Sequence, residues 1–508
     1  MPGIPPTPSE TEPGDTRAHI AADARALSRA LGTQVIGYVV KAGLPLLLAL
    51  ATRAYGAEWG VFVALQSLVL IAVRVAVGGL DKALLWWVGA HDPRELSRAV
   101  WSSVAIVGAG GLAVSALLAA LGRAILAHWD GTSADQLRAF TIMLLGLPLM
   151  GVTDVLLHAT MGQRRMGPQV AIRDTLVPIS WLVAALIFHA IGWHETGLCW
   201  AFVVSQALGL GAALLSLGRL QSGAAFSLRP PPDLLRFALP SWLNEIANST
   251  LLRVDVLVLA ALTDPLTVGI WGLIVQFGNA MRSIRRAFDP ILIAVVASIS
   301  KQHDSRRLAE ALSYATQLVF LSQHPVFVFM LLFGSPLLTL YGPGFAAGGT
   351  ALSLLSAFWL LNGAMSLSGM VIAGYGSARW ALTMTLLGIA IELPLLWLLV
   401  PRYGLVGAAI AVGLMTTTLQ IIQLREMKRV TGGWHYTPRA FSPLGPALWS
   451  GAAALVGWWL GGSLSTALAP DALGVWTKPG LAFFCFAAVY GGLVVRQWRQ
   501  GLLRAPGA

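Results

Sequence analysis

The sequence predicts an all-α polytopic membrane protein of about 14 transmembrane helices, with two six-helix lobes in pseudo-twofold repeat and two extra C-terminal helices. Three observations predict it. Only 11% of the 508 residues are charged while 56% are hydrophobic, where a soluble domain carries about 25% charge. The apolar residues fall into runs of the roughly 20 residues needed to cross about 30 Å of hydrocarbon. The first six of these runs share spaced polar landmarks with the next six.

Residues 1–28 are rich in Pro, Ser, Thr, Glu and Gly and lack an apolar core, which predicts a disordered cytoplasmic tail. They carry no signal-peptide pattern of a basic region followed by an apolar run. The predicted spans are 31–51, 57–80, 99–121, 137–159, 170–191, 197–217, 238–262, 267–295, 312–334, 350–373, 379–400, 404–424, 444–468 and 478–496. Short separators with turn chemistry divide them, as at Thr263-Asp264-Pro265, Tyr341-Gly342-Pro343-Gly344 and Tyr375-Gly376-Ser377.

The Lys and Arg residues fix the orientation. With the N-terminus in the cytoplasm, the cytoplasmic loops hold among others Arg94, Arg98, Arg164, Arg165, Arg173, Arg219, Arg425, Lys428 and Arg429. The opposite side holds Arg53, Arg123, Arg138, Arg402 and Lys478. That is the positive-inside pattern, and it accounts for most of the +11 net charge without a nucleic-acid partner. An even number of spans returns the C-terminus, with Arg496, Arg499 and Arg504, to the cytoplasm. Cys199 and Cys485 lie in apolar segments, so neither a disulfide framework nor a cysteine metal site is expected, and no cofactor is called for.

The repeat rests on three matches. Arg74 and Asp81 recur as Arg282 and Asp289 at a shift of 208, Gly197-Leu198 as Gly404-Leu405 at 207, and Gly60 as Gly269 at 209. Six spans per copy keep both copies in the same orientation, which places a substrate site between them. The domains are then 1–28 for the tail, 29–225 and 226–432 for the lobes, and 433–508 for the added helices and a short cytoplasmic tail.

At this point a family resemblance becomes specific. Thr52-Arg53-Ala54-Tyr55-Gly56-Ala57-Glu58-Trp59-Gly60 resembles the turn after span 1 of polysaccharide flippases. Asp255 followed by Val268-Gly269-Ile270-Trp271 resembles a further pattern of that family, with Trp in place of Tyr. Pro401-Arg402-Tyr403-Gly404-Leu405-Val406-Gly407-Ala408-Ala409 is similar to its opening of span 12, and Glu392 stands where the family pattern has Asn. The resemblance covers about residues 30–430 and points to the O-antigen and exopolysaccharide branch of the multidrug/oligosaccharidyl-lipid/polysaccharide exporters. It implies a flippase in the bacterial inner membrane that moves a polyprenyl-pyrophosphate-linked oligosaccharide. It also implies membrane lipids, a polysaccharide polymerase and chain-length machinery as partners. A lipid II-type flippase and a multidrug exporter are the alternatives within the superfamily. A membrane glycosyltransferase or ligase is the alternative from another class. No P-loop, H-E-x-x-H or nucleophile-elbow motif is present, and the outer loops are too short for a catalytic domain, so no enzymatic activity is expected.

Charges inside the spans carry the functional expectation, because each costs a few kcal/mol unless it faces a cavity or a partner. Lys41, Arg74, Arg253, Arg282 and Arg285 are the candidates for a cationic substrate cavity, since guanidinium forks match phosphate oxygens. Snorkelling to the cytoplasmic surface is the competing role for Arg285 and Arg286, expected of at least one of them. Ion pairing with a neighbouring carboxylate is the competing role for Lys41. Arg74 and Asp81 are two helical turns apart, about 10 Å along one face, which is too far for direct pairing within a helix. Ser241, Asn244, Glu245, Asn248 and Ser249 predict a wet face on span 7. Asp154, Asp255 and Glu392 are the candidates for ion coupling. Trp86, Trp87, Trp458 and Trp459 are assigned to the interfacial belt, and sugar stacking is a role open to Trp59 and Trp271.

Overall fold

The computed structural model describes residues 51–88, 93–126, 134–163, 165–194, 196–217, 230–286, 305–365, 367–374, 378–433, 436, 438–468 and 474–500. Every regular element among them is helical. Nine stretches of these residues are long and apolar enough to cross a membrane. One of the nine, Trp380–Thr431, contains two predicted spans. Lys41 and Asp289 lie outside the described residues, and so do the side chains of Arg285 and Arg286.

In the first half, α1 (Glu58–Val77), α2 (Leu80–Val88), α3 (Pro93–Leu126), α4 (Ala134–Leu144) and α5 (Gly146–Gly162) are followed by a π-helical turn at Gln169–Leu176. Then come α6 (Val177–Ala190) and α7 (Gly197–Leu217). The second half holds α8 (Pro232–Leu251), α9 (Val254–Leu262), α10 (Pro265–Arg286), α11 (Ser305–Thr339), α12 (Gly349–Met365), α13 (Ser368–Gly374) and α14 (Ala378–Thr431). The C-terminal hairpin is α15 (Leu444–Leu468) and α16 (Gly474–Arg499).

Several predicted spans are broken rather than continuous. Span 2 stops at Val77, where Gly78 and Gly79 take φ of 64° and 72°, a left-handed conformation that glycine adopts without penalty. Span 4 divides at Leu145 and span 7 at Leu252-Arg253, where Arg253 leaves helical geometry. The 54 residues of α14 would be about 80 Å long if straight, and Gly404 at φ 53°, ψ −130° divides them into the two predicted spans.

α1 is the central strut. It packs against α3, α4 and α5 of its own half and against α8, α9 and α10 of the other. The repeat-related glycines Gly60 and Gly269 face each other at this junction: a Cβ on Gly60 would lie 1.6 Å from the Pro265 carbonyl oxygen and 3.0 Å from the Gly269 nitrogen. The Trp59 indole N–H donates to the Gly269 carbonyl at 3.2 Å. Small residues allow such close backbone approach, the chief source of helix association where lipid supplies no hydrophobic driving force. At the start of α10, burial pulls the Asp264 carboxyl upward. The N–H and hydroxyl donated by Thr267, at 3.1 and 2.6 Å, outweigh that and hold it below the usual carboxylate range, an N-cap with Pro265 at the first helical position.

The outer faces are apolar, as lipid requires. Leu448, Trp449, Leu455 and Trp459 of α15 are all at least 70% exposed. Trp458 and Trp459 are exposed on the outer face of α15, whereas Trp87 is 3% exposed and packs inside the bundle instead of in a belt, because the turn at Gly78-Gly79 folds α2 back against α5 and α8.

Candidate functional site

Among the described residues, two groups bring buried charged side chains together. The first is built by the break after α1. Because the chain turns at Gly78-Gly79 instead of continuing as helix, Asp81 comes back to Arg74, and Nη1–Oδ2 is 3.3 Å. The expectation that this pair is too far apart is therefore corrected: it assumed an unbroken helix. The other fork of Arg74 reaches Asp154 Oδ2 on α5 at 3.1 Å. Asp154 Oδ1 is 3.6 Å from Arg173 Nη2, and Arg173 Nη1 donates to Gln206 Oε1 of α7 at 3.3 Å. His158 Nε2 lies 3.9 Å from Asp81, and Lys82 Nζ lies 3.9 Å from Glu245 of α8.

The two carboxylates are nearly sealed, with side chains 1% and 7% exposed, while Arg74 and Arg173 keep 20% and 22%. Each arginine thus neutralises buried acid while about a fifth of its own side chain stays exposed. Sequence tallying placed Arg173 among the cytoplasmic loop cations. It sits on the π-turn, whose wider winding is a frequent feature of functional sites. Arg173, His158 and Gln206 are the members sequence reasoning missed. The legible signals were Gln206, an amide within an apolar span, and the four-residue spacing that puts His158 on the face of Asp154.

The second group lies where α9, α10 and α14 meet. Asp255 Oδ2 accepts the Trp271 indole N–H at 2.9 Å and Oδ1 accepts the Val256 N–H at 2.7 Å. Glu392, 1% exposed, lies within electrostatic reach of both Asp255 and Arg282, and its Oε2 has no hydrogen-bond partner among the described residues. Arg282 donates to Asn279 Oδ1 at 2.8 Å and stands 5.6 Å above the Trp359 ring. Arg253, at the helix break, is within reach of Asp255. The sequence candidates Asp255, Glu392, Arg253 and Arg282 are thus brought together, although Asp255 and Glu392 are 137 residues apart. Trp271 is fully buried and donates its indole N–H to Asp255.

Arg74 meets two carboxylates of the first half; Arg282, matched to it in the sequence, meets Asn279 and the Trp359 ring and lies within electrostatic reach of Glu392 and Asp255. Between the halves, Trp59, Phe62, Trp181, Ser205, Gln206 and Gln276 help to line a cavity of about 160 Å³. The predicted wet face of span 7 is partly solvated, with Asn248 exposed and Glu245 half-buried.

A family described as polysaccharide biosynthesis protein matches residues 35–288. No curated protein matches the chain. Among solved structures, the lipid II flippase MurJ in an inward closed conformation superposes with a TM-score of 0.72 at 12% identity, over 92% of this chain and 98% of MurJ. An inward-facing multidrug resistance MATE family transporter of the MOP superfamily superposes with a TM-score of 0.61 at 15% identity, over 78% of this chain and 98% of that one. These likenesses are likenesses of fold.

Proposed function

We propose, from the premise that the chain belongs to the polysaccharide biosynthesis protein family, that it is a flippase for a polyprenyl-pyrophosphate-linked oligosaccharide in the bacterial inner membrane. The observation that carries this reading is the family match on a helical membrane bundle with part-exposed arginines in its interior. The lipid tail stays in the bilayer while the sugar-pyrophosphate head enters between the halves. Rocking of the halves then exposes the head on the other side. The open edges of Arg74 and Arg173 offer donors to phosphate oxygens, with Arg282, Arg253, Arg285 and Lys41 as further cations along the path. The product supplies O-antigen, exopolysaccharide or capsule assembly, where a polymerase and chain-length machinery receive it.

Asp255 and Glu392 are the proposed ion-coupling pair. The two acids lie within electrostatic reach of each other, so one proton or one small cation can be shared between them. Asp154, held by two arginines, is assigned to the first polar network instead. The alternative of a multidrug antiporter fits less well, because a cationic drug would meet guanidinium groups in the interior.

The reading is tested in a strain lacking the gene. Loss of surface polysaccharide, with accumulation of the lipid-linked oligosaccharide in the inner membrane and restoration by the cloned gene, is expected. Normal surface glycan with heightened drug sensitivity would instead identify a multidrug exporter.

A further inference from the structure

We propose that the cavity lined by Trp59, Phe62, Trp181, Ser205, Gln206 and Gln276 is a subsite for one uncharged sugar ring, the one next to the phosphates of the flipped lipid; this rests on the flippase reading above. Four observations carry it.

The lining has the chemistry that sugars require. The aromatic walls are joined: Phe62 stacks on Trp181 at 5.4 Å between centroids, and Trp59 lies 5.7 and 6.0 Å from the two. Such faces accept the C–H side of a pyranose, which is apolar. The remaining lining is mixed, with apolar groups from Val177, Pro178 and Phe202 and amides from Gln66, Gln206 and Gln276. The amides offer donors and acceptors in the mixed pattern that sugar hydroxyls also present. A void left by imperfect packing would be lined by apolar groups.

One donor in the wall beside the cavity is unspent. The Trp181 indole N–H is buried in a residue only 8% exposed and finds no acceptor among the described residues. Leaving such a donor unmatched is costly, and buried indole N–H groups usually find a partner. Trp59, beside it, has already given its N–H to Gly269.

The lining also carries no charge, which selects against phosphate as the occupant. Phosphate has a place next door: Gln206, which lines the cavity, accepts from Arg173 at 3.3 Å. The cationic network and the neutral cavity therefore adjoin through one side chain, in the order that a pyrophosphate and its attached sugar would need. Finally, about 160 Å³ is below the roughly 300 Å³ at which drug-sized sites begin, a volume suited to a single ring. Gln276 comes from α10 and the other lining residues from the first half, so a ring held here touches both halves.

The test uses the full-length protein in lipid nanodiscs and two kinds of probe, undecaprenyl pyrophosphate alone and the same lipid carrying one glucose, galactose or N-acetylglucosamine. Binding is read by native mass spectrometry with competition between the lipids. At least one sugar-bearing lipid should bind more tightly than the bare lipid. The conservative Trp181→Phe variant, which keeps the ring and removes the N–H, should lose about three- to tenfold of that preference while binding the bare lipid as before. Gln276→Leu, on the opposite half, should reduce the preference in the same way, and it keeps the test open should Trp181→Phe fail to fold. Equal binding of bare and sugar-bearing lipid by the unaltered protein, or an intact preference in the folded variants, overturns the subsite and leaves the flippase reading standing. Failure to bind either lipid overturns both.

Discussion

Arg74 holds two nearly sealed carboxylates at once, and that double duty decides what its removal does. Arg74→Ala leaves Asp81 and Asp154 short of a counter-charge. Breaking a buried pair typically costs about 3–5 kcal/mol, so this variant should melt well below the unaltered protein in detergent. Adding Asp81→Asn to Arg74→Ala should recover part of the loss, because the uncompensated charge is gone. An Arg74→Ala variant with an unchanged melting temperature would remove the ion-pair account. At Glu392 the expected effect is on function instead. Glu392→Gln keeps the shape but cannot exchange a proton or hold a cation as a carboxylate does. It should export less surface polysaccharide and lose any dependence of export on external pH or sodium, with protein level unchanged on a blot. Full export with the dependence retained would clear Glu392 of coupling. At this scale the sequence named the charged residues but not their partners. Arg173 meets Asp154, and Glu392 meets Asp255, only through the packing of separate helices, which no spacing rule along one helix encodes.

Helix starts were legible where turn residues interrupt an apolar run, which is why α7 begins at Gly197 and α15 at Leu444, as predicted. Breaks within a run were not. Leu144-Leu145-Gly146 is as apolar as the helix on either side, so composition carries no mark of the division. The Gly78-Gly79 turn was visible as a glycine pair, but its consequence, the return of Asp81 to Arg74, depends on direction rather than hydropathy. The contact of α1 with α10 gives a prediction for the element as a whole. Any side chain at Gly60 meets the Pro265 carbonyl, so Gly60→Leu must push the two helices apart. Loss of surface polysaccharide with normal membrane insertion is expected. Unimpaired export by Gly60→Leu would show that the halves tolerate separation at this point.

Across the whole molecule, Gly60 and Gly269, matched in the sequence at a shift of 209, pack against each other where α1 meets α10. Charge placement makes the complementary prediction about orientation. Reporter fusions at residues 303 and 435 should read as cytoplasmic, and those at 344 and 472 as external. Reversal at any two of these sites would defeat the topology. The cavity between the halves was the least legible feature. It is assembled from α1, α6, α7 and α10, and the aromatic and amide residues that line it look, one helix at a time, like ordinary core.

The C-terminal hairpin is moored chiefly to α11. His324 lies flat against Phe486 and Tyr490, at 5.5 and 5.3 Å with ring planes 10° apart, and the Tyr490 hydroxyl donates to the Leu321 carbonyl at 2.9 Å. A hairpin tied in this way works as a pointer. The 26 residues of α16 make a rod about 39 Å long, so a tilt of about 10° in α11 would sweep its far end by about 7 Å. A spin label there, paired with one on α1, would turn a small internal rocking into a distance change that is easily read, without touching the path taken by the cargo.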